Sequence, residues 1–110
     1  MKLTATTPFG AFTRTSNTAY THVVVRAITA THGVNHETGK IAWTPRTPES
    51  FVELMQDRSR RFGVMNRYAK DGGYVVSWHK GEADAHKAAA RKPVGFVRSE
   101  FVGVYPVDAA

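Results

Sequence analysis

Residues 20–28 read YTHVVVRAI, the longest β-branched run in the chain, and the fold is decided by how this stretch is placed. Taken as a strand, it alternates. Thr21, Val23, Val25 and Ala27 fall on one face, and Tyr20, His22, Val24, Arg26 and Ile28 fall on the other. The first face is small and apolar, so it is expected against a core. The second carries a phenol, an imidazole and a guanidinium and is expected near water or a partner.

Upstream, Lys2 to Thr7 and Ala11 to Thr15 are Thr-rich segments around Pro8-Phe9-Gly10. Pro presets one dihedral and Gly accepts positive φ, so the spacing predicts a β-hairpin. Ser16-Asn17-Thr18 supplies a second turn into the central strand, and a three-strand meander is the simplest outcome. Downstream, Thr29 to Lys40 has two glycines and no periodicity. It reads as a long loop or a protruding hairpin tip before a short strand, Ile41 to Thr44. His32 and His36 with Glu37 have a spacing that suits a metal only on a helix. Gly33 and the missing helical pattern argue against one, so these histidines are read as solvated and no metal is assigned.

Thr47 starts a helix with a capping hydroxyl, Pro48 at the first helical position, early acids Glu49 and Glu53, and late bases Arg58, Arg60 and Arg61. Gly63 is read as its end. Phe51, Leu54, Met55, Arg58 and Phe62 follow helical spacing and predict a stripe lying on the sheet. Asp71-Gly72-Gly73 is a turn into a strand, Tyr74 to Trp78. Gly81 leads into a second helix, Glu82 to Lys92, with a stripe of Ala85, Ala88 and Ala89. His79 and His86 read as surface residues. Val94 to Arg98 and Phe101 to Val107, one or two β segments around Ser99-Glu100, finish the chain, with Pro106 marking an edge. Trp43 and Trp78 each close a strand ahead of a helix, a faint internal repeat.

These elements predict one α+β domain over residues 1–110, a mainly antiparallel sheet of five or six strands with two helices packed on one face. With 42% hydrophobic and 22% charged residues the chain has the composition of a globular protein and not of a disordered one. The absence of cysteine removes disulfides, thiolate nucleophiles and cysteine-ligated metals from consideration. No apolar run approaches the roughly 20 residues a membrane-spanning helix needs, and MKLTATTPFG lacks the apolar core of a signal peptide. A cytoplasmic location without membrane association is the expectation.

The formal charge of +6 raises the expectation of a polyanionic partner. Arg58 to Lys70, RSRRFGVMNRYAK, holds five basic residues and no acid, interleaved with Phe62 and Tyr68. Arg58, Arg60, Arg61, Arg67 and Lys70 are therefore the candidate phosphate contacts, with Lys87, Arg91 and Lys92 at the end of the second helix as a supporting cluster. Cations at a helix C-terminus also satisfy the helix dipole, which is the purely structural account of both clusters. The outward face of the central strand offers a second candidate, a protein-binding surface of Tyr20, His22 and Arg26, because Tyr and Arg are common interface anchors. The acids Asp57, Asp71, Glu82, Asp84 and Glu100 form no paired constellation, and no His and acid are placed to activate a hydroxyl. A catalytic role and a cofactor are not expected.

TPFGAFTRTSNTAYTHVVVRA at residues 7–27, with Trp43 and the Ala-rich helix after Trp78, resembles a group of small uncharacterised proteins encoded by bacteriophages of actinobacteria. The resemblance implies an accessory phage protein acting on a host macromolecule, whether protein or nucleic acid. It implies no active residues.

Overall fold

In the computed structural model, which describes residues 1–56, 63–91 and 97–108, the central strand β3 is longer than its β-branched run. It extends from His22 to Val34. Strands β4 (Ile41–Pro45), β5 (Tyr74–His79) and β6 (Val97–Pro106) all pair with it, in the order β4-β3-β5 with β6 off that path. The pairing of β3 with β4 is antiparallel. Moving along β3, the Thr21 N–H bonds the His79 carbonyl at the far end of β5 and the Ile28 N–H bonds the Gly73 carbonyl at its start, so that pair is antiparallel as well.

This centrality corrects the two-faced reading of β3. Val24 is only 2% exposed and Ile28 is fully buried, although strict alternation puts both on the face expected near water, beside Tyr20, His22 and Arg26. Val23-Val24-Val25 is a continuous apolar run because both faces of the strand are covered there, and such a run marks a fully buried strand better than alternation does.

The expected meander is also corrected. β1 (Lys2–Thr7) and β2 (Gly10–Thr15) form the hairpin but make a two-stranded antiparallel sheet of their own, while β3 takes β4, β5 and β6 as neighbours. Thr7 closes the Pro8-Phe9 turn from both sides: its Oγ1 accepts from the Phe9 N–H at 3.1 Å and donates to the Gly10 carbonyl at 2.9 Å.

The chain divides into two compact units. One comprises Met1–Val25, Val76–Arg91 and Phe101–Ala110; the other comprises Arg26–Val75 and Lys92–Glu100. In the first, Leu3, Ala5, Phe12, Val23, Val24, Val25 and Ala85 are buried. Helix α3 (Glu82–Ala90) contributes Ala85, and the tail fastens to β1 through Asp108, whose carboxylate accepts from the Thr6 hydroxyl at 2.6 Å. The expected alanine stripe is present, with Ala88 and Ala89 half-buried beside Ala85.

In the second unit Ile28, Phe51 and Met55 form the core, with Tyr68, Ala69, Val75 and Val97 packed against it. Helix α1 (Pro48–Gln56) starts where the sequence places it. Thr47 Oγ1 accepts from the Ser50 N–H at 3.1 Å and Ser50 Oγ accepts from the Thr47 N–H at 2.9 Å, a reciprocal cap with Ser in the place of Glu. Gly63 opens a further helix, α2 (Gly63–Lys70), instead of closing α1, so the described residues hold three helices and not two.

The turn after α2 is a Schellman closure: the Gly73 N–H reaches the Tyr68 carbonyl at 2.8 Å and the Gly72 N–H the Ala69 carbonyl at 3.0 Å. Gly73, at φ +89°, lies so close to α1 that a Cβ there would collide with the Pro48 backbone, 2.5 Å from its Cα. β6 is one continuous strand over 97–106, and the expected strand residues 94–96 lie outside the described residues.

Candidate binding surface

The predicted phosphate contacts are distributed over both units. Arg58, Arg60, Arg61 and Lys92 lie outside the described residues. Arg67 and Lys70 are exposed in the last turn of α2, within the second unit, while Lys87 and Arg91 are exposed at the end of α3, within the first. Arg67 and Lys70 are not a purely cationic pair, because Asp71 follows them. Burial raises the Asp71 carboxyl above its usual 3.8, and the two cations pull it part of the way back. Among the described residues Lys87 and Arg91 make no ion pair; the exposed Glu82 carboxylate of the same helix is instead 3.5 Å from His86.

Of the predicted protein-binding residues, Tyr20 and His22 belong to the first unit and Arg26 to the second. All three are half-buried. Tyr20 is the middle of a stack, with the Arg14 guanidinium carbon 4.9 Å from its ring centroid and the Trp78 ring at 6.4 Å. His22 Nδ1 is hydrogen-bonded to Thr21 Oγ1 at 2.8 Å. Arg26 donates from Nε to Ser99 Oγ at 3.0 Å and from Nη2 to the Ser99 carbonyl at 3.2 Å, so its charge ties β3 to β6. A guanidinium with two such bonds serves the sheet before it serves a ligand.

A site that the sequence does not designate lies on the β3–β4 hairpin. Of the two readings of Thr29 to Lys40, a long loop or a hairpin tip, the second holds: β3 continues through Val34 and the chain turns over residues 35–40 into β4. Asn35 organises the turn: its side-chain oxygen accepts from the Glu37 N–H at 2.9 Å and its carbonyl from the Gly39 N–H at 2.7 Å. The resulting register sets His32 opposite Trp43 and Val34 opposite Ile41 on one face.

The His32 and Trp43 rings meet edge-on with centroids 5.4 Å apart, and the exposed Arg98 of β6 places its guanidinium carbon 4.3 Å from the Trp43 centroid. Beyond them Val34 and Ile41 are 51% and 63% exposed. His32 is thus a ring partner of Trp43 and not a loop residue. The clue present in the sequence is the Asn35 to Gly39 turn, which fixes the register that pairs His32 with Trp43.

Among the described residues no three His, Asp or Glu side chains gather in a metal-binding group, and no helix is long and apolar enough to cross a membrane. Comparison with known proteins finds no family model, no curated protein and no solved structure that matches the chain.

Proposed function

We propose that this chain is a non-catalytic binding protein whose ligand is nucleic acid, held chiefly through phosphate contacts. The observation that carries the reading is the uncompensated charge. The net charge is +6, and Lys40, Lys87, Arg91 and Arg98 make no ion pair among the described residues. Cations left without carboxylates gain free energy by releasing counterions from a phosphate backbone, whereas paired ones do not. The candidate contacts are Arg58, Arg60, Arg61, Arg67 and Lys70 with Lys87, Arg91 and Lys92. The resemblance to actinobacteriophage proteins fits an accessory protein acting in the host cytosol.

The test is a salt titration of binding to single-stranded and duplex DNA of unrelated sequences. The wild type is expected to bind with a steep inverse dependence on salt. A variant with Arg58, Arg60 and Arg61 all changed to Ala is expected to bind every sequence more weakly, with the slope reduced by about 0.9 for each phosphate the variant no longer neutralises. Binding that ignores salt, or no binding at about 50 mM salt, overturns the reading.

A second reading, a protein-binding effector, is favoured by the Arg14–Tyr20–Trp78 stack, which presents a cation over aromatic surface. It predicts that Tyr20→Ala abolishes capture of a host protein while leaving nucleic-acid affinity unchanged, whereas Arg26→Ala, which also breaks the tie to Ser99, lowers the melting temperature.

A further inference from the structure

We infer that the β3–β4 hairpin is a single-strand-specific element, with Trp43 as the platform for an unpaired base and Arg98 as the donor to the adjoining phosphate. The inference rests on the nucleic-acid reading above and adds which form of the polymer is bound, and where. Trp43 is half-buried on a strand whose neighbours Ala42, Thr44 and Pro45 are all exposed, and the His32 ring and the Arg98 guanidinium lie against its indole. A large aromatic held this way by side chains is available to a ligand at little cost in order, because the register with β3 already fixes its backbone.

Arg98 is exposed and lies over the indole through its charge alone. It makes no hydrogen bond or ion pair among the described residues, so its N–H donors remain for an anion. Lys40 at the turn adds a second exposed cation on the same hairpin. The exposed pair Val34 and Ile41 continues the apolar strip along the face of Trp43. Stacked bases of a duplex present only their edges, whereas an unpaired base has a π face to give. A strip of indole and aliphatic surface bordered by cations discriminates between the two. The positive net charge favours this occupant over a neutral or basic protein surface.

The experiment follows Trp43 emission in a Trp78→Phe background while oligothymidine or a duplex of equal length is added. Oligothymidine is expected to quench the emission saturably and the duplex to leave it nearly unchanged. Trp43→Ala should weaken oligothymidine binding by about tenfold or more while altering duplex binding little, and Trp43→Phe should restore most of the affinity because a ring is again present. Arg98→Ala should weaken oligothymidine binding and lower its salt slope. The restoration by Trp43→Phe, read beside an unchanged melting temperature, separates a failure of stacking from a failure of folding. Trp43 emission unmoved at saturating oligothymidine overturns the inference, leaving this face to a protein or to nothing, and so does equal weakening of both polymers in Trp43→Ala. If the wild type binds neither polymer, the nucleic-acid reading itself falls; if it binds both with Trp43 unmoved, only the single-strand inference does.

Discussion

At the scale of single residues, His79 shows how partial burial changes a side chain that reads as a surface residue. It is half-buried at the end of β5, with Nε2 2.7 Å from Ser77 Oγ. Burial lowers its pKa below the ordinary 6.5; Asp84 on α3 opposes this and Arg91 adds to it. As pH falls, the unfolded chain therefore takes up this proton before the folded one. Stability is full above 6.5 and declines from there toward the depressed folded value. Denaturant midpoints measured between about pH 8 and 5 should fall with acidity more steeply in the wild type than in His79→Gln, and parallel curves would show that the imidazole is not withdrawn from water. Nothing in Ser77-Trp78-His79 announces this, because the shift comes from burial in the fold and from charges at Asp84 and Arg91, which lie outside that tripeptide. Residues whose environment is local are legible: Thr47 as a cap and Gly72 and Gly73 as turn formers act on backbone within a few positions of themselves.

At the scale of elements, sequence pattern and structure part for two reasons. Where apolar residues run continuously, as in Val23-Val24-Val25, an alternating template still finds a fit and assigns faces that do not exist. Where a helix is short and basic, as α2 is, its residues read as a patch, and Gly63 reads as a stop because glycine ends helices more often than it opens them. α1 is legible because its cap, its first-turn acid and its stripe agree. Its stripe is nevertheless narrower than helical spacing predicts: Phe51 and Met55 are buried, while Leu54 is only half-buried. Phe51→Ala should therefore cost about 3 to 5 kcal/mol, and Leu54→Ala less than about 2 kcal/mol, since a partly exposed side chain loses less transfer energy and leaves no closed cavity. Urea denaturation of the two variants measures the difference. A Leu54→Ala cost equal to that of Phe51→Ala would mean that α1 presents a different face to Ile28.

At the scale of the whole chain, an α+β composition with antiparallel pairing is legible, whereas the division into two units is not. Three of the four divisions fall inside strands, at residues 25/26 in β3, 75/76 in β5 and 100/101 in β6, so no Pro-rich or Gly-rich linker marks them. Charge is a property of the same scale, and it can be read from composition alone. A net charge of +6 repels itself more in the compact state than in the expanded one, so added salt should stabilise the fold by screening. A polyanionic ligand stabilises the folded chain by mass action, and salt weakens that binding. The two effects of salt thus have opposite signs: the melting temperature of the free protein should rise from low to moderate ionic strength, while the increment added by oligothymidine should shrink over the same range. Differential scanning fluorimetry with and without oligothymidine across a sodium chloride series separates them. An increment that stays constant with salt would show that the ligand is not held through its phosphates, and a free-protein melting temperature that falls with salt would show that the exposed cations are already neutralised within the chain.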